Sequence, residues 1–333
     1  MKHGILLLSL AFAVILGGCG RVKPEKPLSY RIAVVPKGTT HEFWEAIHAG
    51  AVKAEQELQD QGLPVEITWK GPLREDDREF QIQVVESFAG KGYSGIVLAP
   101  LDDTALVAPV ELAARSETPV VIIDSELNTD QYVSFVATDN SKGGEMAGDY
   151  MAQLLGEEGE VMLLRYQEGS ASTSKREEGF LRAIAKYEGI KVVSRDQYGG
   201  ATMDAAYQKA ENLLSRPELA NVQGIFCPNE TVTVALTKAL REVNKARGKV
   251  KVIGFDTSRQ SLLDLQNGDV QGLIVQNPVA MGYMGVRTIV AHLQGATIEK
   301  RVDTGVTLVT AEVMNEPAVK ELLNPPSVDD FTK

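Results

Sequence analysis

Polar side chains stand directly after several short apolar runs of the sequence, where they could form hydrogen bonds with a ligand. These residues are Lys37, Asp124, Ser125, Asp139, Asn140, Asn229, Glu230, Asp256 and Gln276. Carboxylates accept charge-assisted hydrogen bonds from hydroxyl groups, and the amides of Asn and Gln both donate and accept. An Asp or Asn in such a position can instead cap the next helix, which leaves both interpretations open for each residue alone. As a set, they favour a polar binding cleft.

The apolar runs alternate with longer amphipathic stretches, which predicts parallel sheets flanked by helices. The strands predicted for the first half are 31–35, 65–69, 95–100, 119–124 and 133–137. Those predicted for the second half are 160–164, 190–193, 224–227, 250–256 and 270–275. Runs this apolar are typical of strands buried on both faces. The predicted fold class is therefore α/β, with two doubly wound parallel-sheet lobes and a ligand crevice at the carboxyl ends of the strands.

The sequence lacks the common signatures of catalysis. It contains no Walker A loop, no Gly-x-Gly-x-x-Gly after a strand, no Gly-x-Ser-x-Gly and no His-Glu-x-x-His. Its four histidines form no evident metal cluster. Asp124 and Asp256 could act as acid and base, but no activated nucleophile accompanies them. We expect a binding protein that is not an enzyme, with no catalytic residues, no metal and no cofactor.

Length and charge restrict the partners further. A chain of 333 residues suits two domains. Its 45 acidic and 34 basic residues give a net charge of −11. Nucleic acids and anionic membrane surfaces require clustered Lys and Arg, so the charge disfavours both as main partners. We expect a small polar ligand and no nucleic acid.

The amino terminus has the pattern of an export signal. Lys2 and His3 precede a mostly apolar run at 5–16, which is too short to span a bilayer comfortably. The run ends in Leu-Gly-Gly-Cys at 16–19, which resembles a bacterial lipobox with Cys19 as the acylated residue. An ordinary secretory signal with a nearby cysteine is the alternative.

The lipobox interpretation predicts both processing and location. It gives a signal peptide at 1–18 and a lipid-anchored polar linker at 19–29. The mature protein is then a membrane-anchored lipoprotein of the periplasm or cell envelope. Only one other cysteine exists, Cys227, which we expect to be a small buried apolar side chain.

A series of short motifs occurs in order along the chain. They are 41–44 (His-Glu-Phe-Trp), 121–124 (Val-Ile-Ile-Asp), 137–140 (Ala-Thr-Asp-Asn), 143–144 (Gly-Gly), 176–180 (Arg-Glu-Glu-Gly-Phe), 226–230 (Phe-Cys-Pro-Asn-Glu), 254–256 (Gly-Phe-Asp) and 275–277 (Val-Gln-Asn). Each motif is weak alone. Their order and spacing resemble the type 1 periplasmic binding proteins, with the ribose-binding proteins as the nearest model, over most of the chain from residue 30 to about 310.

The resemblance implies two lobes joined by a three-crossing hinge. The crossings are expected near Thr138-Asp139, Gln276-Asn277 and Val302-Asp303. The N-terminal lobe would then comprise 30–138 plus 277–302. The C-terminal lobe would comprise 139–276 plus 303–325, followed by a tail at 326–333.

The resemblance also implies which residues contact ligand. With Asp139 added from the strand-end set, these are Lys37, His41, Phe43, Trp44, Asp124, Ser125, Asp139, Ser174, Asn229, Asp256 and Gln276. Carboxylates and amides suit sugar hydroxyls, and the two aromatic rings offer apolar faces for ring C–H groups. Ordinary core packing is the alternative for both aromatic residues.

The sequence departs from the ribose binders within this set. Ser125 and Ser174 stand where ribose binders carry arginines, and the second-lobe aromatic residue is replaced near 199–201. Lys37 and His41 are added on the opposite side. These changes disfavour D-ribose itself as the ligand.

Two basic residues have competing interpretations. Lys37 resembles a residue of the autoinducer-2 receptors and could pair with a carboxylate, phosphate or hydrated ketone of a ligand. It could instead pair with an acidic neighbour such as Glu42 or Asp124. Arg176 stands beside two glutamates at a predicted helix start, so an exposed ion pair is expected there.

The family resemblance implies the solute-binding component of an ABC importer. A monosaccharide or sugar derivative would be captured by closure of the lobes, and a membrane permease would recognise the closed shape. The protein is expected to be a monomer. The alternative is a sensory receptor, for example of an autoinducer-2-like signal, that acts through a chemotaxis or histidine-kinase partner.

Overall fold

The computed structural model describes residues 29–332. The predicted signal peptide, Cys19 and nearly all of the predicted linker lie outside the described residues. The strands are β1 (Tyr30–Val35), β2 (Val65–Trp69), β3 (Gly95–Leu98), β4 (Val120–Ile123), β5 (Ser134–Ala137), β6 (Glu158–Arg165), β7 (Gly189–Tyr198), β8 (Gly224–Phe226), β9 (Lys251–Phe255), β10 (Gly272–Gln276), β11 (Arg301–Asp303) and β12 (Val306–Val309). The helices are α1 (Glu42–Asp60), α2 (Arg78–Gly90), α3 (Val107–Arg115), α4 (Asn140–Leu155), α5 (Ala171–Ile184), α6 (Met203–Leu214), α7 (Glu230–Glu242), α8 (Arg259–Gln266), α9 (Pro278–Leu293) and α10 (Pro317–Leu323).

The strands form two sheets with matching order. The first is β11-β5-β4-β3-β1-β2 and the second is β12-β10-β9-β8-β6-β7, each with six strands. All neighbours are parallel except β10 and β12, which are antiparallel. Position by position, β1 to β5 correspond to β6 to β10. The predicted α/β class with two doubly wound lobes is confirmed.

Each sheet is buried on both faces. In the first lobe, one apolar core lies beneath α1 and α9 and another beneath α2 and α3. In the second lobe, one core lies beneath α4 and α5 and another beneath α6 and α7. The strands β3, β4 and β5 are buried at every residue, as their continuous apolar sequence predicts. Cys227 is completely buried, and burial raises the pKa of its thiol well above the usual value.

The chain passes between the sheets after β5, β10 and β11. The third crossing lies later than the sequence indicated, because Val302 and Asp303 belong to β11 and pair with Val136 and Ala137 of β5. The turn follows at Thr304 and Gly305, where the φ of Gly305 is +84°. Asp303 is thus part of the first sheet and not of the second lobe.

After α10, the residues predicted as a tail form one 3-10 turn, Val328–Asp330, which contacts α1 in the first lobe.

Paired glycines allow close helix crossings in both lobes. A Cβ on Gly144 of α4 would lie 1.9 Å from Arg176 O of α5, and one on Gly179 would lie 2.2 Å from Ser141 O. Gly50 of α1 and Gly282 of α9 form the equivalent close contact in the first lobe. The α4–α5 crossing sets the position of the first turns of α5, which border the site described next. Among residues 29–332, no helix combines the length and apolar character needed to cross a membrane.

Candidate ligand site between the lobes

A small cavity of about 40 Å³ lies between the two lobes, at the ends of strands from both sheets. Its wall consists of Lys37, His41, Phe43, Trp44, Glu75 and Asp124 from the first lobe and Tyr166, Ser170, Ser172, Thr173, Arg176, Asn229, Glu230, Thr231 and Asp256 from the second. Residues far apart in sequence therefore converge where the topology predicts a crevice.

Lys37 and Asp124 form a buried ion pair on the first-lobe side. Lys37 Nζ lies 2.7 Å from Asp124 Oδ2 and also donates a hydrogen bond to Ser172 Oγ of the other lobe at 3.2 Å. The attraction between Lys37 and Asp124 Oδ2 is electrostatic. Asp124 Oδ2 accepts no aligned hydrogen bond from any of the described residues. Of the two sequence interpretations for Lys37, the structure shows pairing with an acidic neighbour.

Asp256 and Arg176 form the equivalent pair on the second-lobe side. Arg176 NH1 lies 3.3 Å from Asp256 Oδ2 and donates to Pro228 O, while Gln276 Nε2 donates to Asp256 Oδ1 at 2.6 Å. Burial raises the pKa of Asp256 to about 6, and the charge of Arg176 acts in the opposite direction. The expected exposed ion pair at Arg176 is wrong. Only 2% of Arg176 is exposed, because the close α4–α5 crossing places it in the wall.

The two aspartates occupy matching places in strained backbone. Asp124 follows β4 with φ +63°, and Asp256 follows β9 with φ +68°. Non-glycine residues adopt such values rarely and at a cost, and they cluster at functional sites. The left-handed conformation turns the chain sharply at the end of each buried strand. Each lobe thus presents an aspartate carboxylate at the end of a strand through the same left-handed backbone conformation.

His41 and Glu230 connect the lobes at one edge of the cavity. His41 Nδ1 lies 3.4 Å from Glu230 Oε2. The hydrogen bond to Glu230 raises the pKa of His41 to about 9, although burial works against this shift. The imidazole therefore carries a proton at neutral pH. All three cations of the wall are thus paired with a carboxylate.

Aromatic residues supply the apolar part of the wall. Phe43 and Trp44, on the first turn of α1, pack edge to face with ring centroids 5.0 Å apart. Trp44 also belongs to the buried apolar cluster beneath α1 and α9, and Phe43 packs against this cluster, so that core packing and cavity lining coexist. Trp44 Nε1 and Tyr166 Oη each donate a 2.7 Å hydrogen bond to the carboxylate of Glu75.

Four residues of the sequence-based set lie outside the cavity wall. Ser125 is buried, and its Oγ accepts a hydrogen bond from the backbone N–H of Ser172. Asp139 caps α4 by accepting from Lys142 N, which is the helix-capping alternative. Ser174 lies on α5 and is absent from the wall, whereas Gln276 lies behind Asp256. Asn229 does border the cavity, although its side chain also caps α7.

The sequence-based set omitted several residues of the wall. They are Glu75, Tyr166, Ser170, Ser172, Thr173, Arg176 and Thr231, together with Glu230, which belongs to the strand-end residues but not to the contacts that the resemblance implies. Tyr166 follows β6 directly and was missed because that strand was predicted to end at residue 164. The serines and threonines lie at the start of α5 and α7, where they resemble ordinary helix-start residues. Within the described ranges, no group of His, Cys, Asp or Glu side chains could hold a metal ion.

Two similar α/β lobes around a polar cavity define a binding protein that holds its ligand between domains. Residues 32–297 match the family model described as periplasmic binding protein domain, and the chain belongs to this family. Family membership confirms a binding role rather than catalysis.

Individual relatives support this assignment. The chain is 30% identical over 318 residues to the D-ribose/D-allose-binding protein of Pseudomonas aeruginosa, covering 91% of this chain and 97% of the relative. A carbohydrate transporter solute binding protein from Agrobacterium radiobacter, in complex with D-arabinose, has a TM-score of 0.83 at 33% identity, covering 90% of this chain and all of that one. An ABC transporter solute binding protein from Agrobacterium vitis with bound D-fucose has a TM-score of 0.82 at 32% identity, covering 88% and 100%.

Proposed function

We propose that this protein captures an uncharged monosaccharide between its lobes and presents it to the permease of an ABC importer in the periplasm. The observation that carries the proposal is the pairing of charges around the cavity. Lys37, His41 and Arg176 are each paired with a carboxylate, and Glu75 adds a further negative group. An anionic ligand would find no unpaired cation in the described wall, whereas hydroxyl groups could donate to its carboxylates.

Closure of the lobes accounts for capture. The contacts of Lys37 and Ser125 with Ser172, and of His41 with Glu230, join residues of opposite lobes. A sugar that touches both walls gains its second set of contacts only in this arrangement, so that its binding favours the closed form. A permease can then distinguish the loaded protein by the relative position of the lobes.

The nature of the relatives narrows the sugar class. The relatives described above bind or contain ribose, allose, D-arabinose or D-fucose by their names. We infer a neutral pentose or hexose here, held by Asp124, Asn229 and Asp256 with Phe43 and Trp44 as apolar surfaces. Ser125, Asp139, Ser174 and Gln276 act at most indirectly, through the positions given above.

We further propose that Cys19 carries a lipid anchor that keeps a monomeric protein at the membrane. The lipobox-like segment 16–19 and the polar linker 19–29 support this proposal, and both precede β1, which begins at Tyr30. Acyl chains contribute about 0.8 kcal/mol of membrane affinity per buried methylene, so several chains tether firmly. Incorporation of labelled palmitate into the wild-type chain but not into Cys19→Ser is the expected result.

A sugar panel tests the proposed function. We expect at least one of D-arabinose, D-fucose, D-ribose and D-allose to raise the melting temperature by about 5–10 °C at a concentration far above its Kd. D-gluconate and D-ribose 5-phosphate test for binding of an anionic ligand, and autoinducer-2 tests for binding of a signalling molecule. No shift with any neutral sugar would contradict the proposal. A dominant shift with an anion would show that the charge argument is wrong, and one with autoinducer-2 would favour the sensory role.

The affinity for that sugar is expected to fall as pH rises through about 9. The pKa of His41 is raised in the closed form, which means that closure holds this proton more tightly than the open form does. The His41 proton therefore stabilises the closed form fully below the ordinary histidine pKa of about 6.5, and this stabilisation is lost as pH rises through about 9. Calorimetric titrations between pH 7 and 10 measure the effect, and His41→Gln should remove most of the decline. An identical decline in the variant would contradict this assignment.

A further inference from the structure

Glu75 connects the two lobes through its side chain and its backbone. Its Oε1 accepts from Trp44 Nε1 of the first lobe at 2.7 Å, and its Oε2 accepts from Tyr166 Oη of the second lobe at 2.7 Å. Its backbone carbonyl accepts from Gln167 Nε2, also of the second lobe, at 3.1 Å. Trp44 and Tyr166 are each only 2% exposed and both line the cavity. One carboxylate thus contacts an aromatic residue on each side of the ligand site.

The loop that carries Glu75 is held in place by the segment after β1. The hydroxyls of Thr39 and Thr40 donate to Pro72 O and Leu73 O of this loop, at 3.2 and 3.1 Å. A Cβ on Gly38 would lie 3.1 Å from Glu75 Cγ, so the absence of a side chain there allows the stem of Glu75 to approach. The carboxylate therefore reaches the cavity from a defined position.

The surroundings of Glu75 differ from those of the other carboxylates in the wall. Asp124, Glu230 and Asp256 each pair with a cation, whereas the donors to the Glu75 carboxylate are an indole N–H and a phenol O–H. Burial, and after it the charge of Glu75, raise the pKa of Tyr166 well above its usual value. The phenol accordingly keeps its proton and acts as the donor. Hydrogen bonds from neutral donors to a carboxylate are stronger than those between neutral groups.

We propose that Glu75 is a positioning residue for sugar capture, which fixes Trp44 and Tyr166 in the wall and joins the lobes through Tyr166 when they close. This inference rests on the proposed sugar-binding function. It assigns the contribution of Glu75 to its two aromatic partners rather than to a contact with the sugar. Glu75 and Tyr166 then contribute to sugar affinity through the same hydrogen bond, the one between Tyr166 Oη and Glu75 Oε2.

A double-mutant cycle measures that sharing. Glu75→Gln keeps the shape but replaces the carboxylate by an amide, and Tyr166→Phe keeps the ring but removes the donor. Each variant is expected to weaken binding of the best sugar among D-arabinose, D-fucose, D-ribose and D-allose about 10-fold. The double variant should be little weaker than either single one, because the second change removes a contact already lost. Asp76→Asn in the same loop, where Asp76 forms an exposed pair with Arg74, is the matched control and should bind as wild type does.

Tryptophan emission supplies a readout specific to positioning. The chain has two tryptophans, so Trp69→Phe leaves Trp44 as the only indole. In that background and with saturating sugar, Tyr166→Phe and Glu75→Gln should both shift the Trp44 emission maximum, and Asp76→Asn should not. A shift caused by Tyr166→Phe would report the carboxylate contact across the lobes.

The outcomes separate this inference from the proposed function. If no sugar of the four binds the wild-type protein, the proposed function fails and this inference fails with it. If wild type binds but Glu75→Gln retains its affinity, or if the two single losses add fully, only the role of Glu75 is overturned. Full additivity would mean that Glu75 and Tyr166 contact the sugar separately.

Discussion

Replacing Asp256 by Asn is expected to weaken sugar binding about 100-fold, measured by calorimetric titration with the sugar that gives the largest shift in the panel. The carboxylate accepts from Gln276, pairs with Arg176 and borders the cavity. An amide of the same shape loses the charge-assisted hydrogen bonds to sugar hydroxyls, each of which contributes about 1.5–3 kcal/mol. It also leaves Arg176, which is almost fully buried, without a countercharge. About 2.8 kcal/mol corresponds to the expected 100-fold loss.

Asp139→Asn provides the matched control for this variant. Asp139 belonged to the sequence-based set, but it caps α4 at the hinge and is absent from the cavity wall. Because Asn is also a good N-cap, the change preserves the helix start. We expect unchanged affinity. Equal losses from the two substitutions would show that the effect of Asp256→Asn comes from net charge or hinge geometry and not from the cavity.

Replacing Gly144 by Ala is expected to lower the free energy of unfolding of the second lobe by about 3 kcal/mol, since the added methyl group overfills a tight contact. Its Cβ would lie 1.9 Å from the backbone carbonyl oxygen of Arg176, and backbone atoms cannot turn aside as a flexible side chain can. Helices α4 and α5 must therefore separate, and Arg176 moves with α5. Sugar affinity should fall together with stability. Because both tryptophans lie in the first lobe, denaturation is followed by far-UV circular dichroism.

Gly90→Ala is the corresponding control. Gly90 is the last residue of α2, and a Cβ there would meet no heavy atom within 4 Å. Alanine favours helix over glycine by up to about 1 kcal/mol, so this variant should be as stable as wild type or slightly more stable. A Gly144→Ala protein with wild-type stability would contradict the close α4–α5 crossing.

The strand-end pattern predicts three residues that line the candidate site. Asp124, Asn229 and Asp256 follow buried apolar strands, and the parallel topology brings such positions to one edge of each sheet. The motif at 41–44 lies at the start of α1, with His41 as the N-cap residue and Phe43 and Trp44 on the first turn. In these cases the local pattern determines the position of the side chain.

Other parts of the site depend on contacts that no local pattern records. Glu75 and Tyr166 meet across 91 residues of sequence, and Glu75 lies in a loop whose neighbouring charges indicate only solvent exposure. Arg176 was expected at the surface because two glutamates follow it. Its burial depends on Gly144 and Gly179, which bring α4 and α5 into backbone contact. Long-range packing, rather than residue type, decided these positions.

The left-handed conformation of Asp124 and Asp256 was equally hidden from sequence reasoning. Aspartate tolerates positive φ better than most residues, but nothing in either flanking sequence requires it. The structure shows the same conformation at the same place in both lobes, with a cation facing each carboxylate. This symmetry explains why the internal pairing of charges arises on both walls.

A crystal structure of the protein grown with the neutral sugar that gives the largest thermal shift tests the central claim most directly. We expect electron density for one sugar in the cavity between the lobes, with its hydroxyls within hydrogen-bond distance of Asp124, Asn229 and Asp256. We also expect the Lys37–Asp124 and Arg176–Asp256 pairs to stay intact. A sugar bound at a different surface, or Lys37 and Arg176 released from their aspartates to hold a charged group of the ligand, would contradict the account.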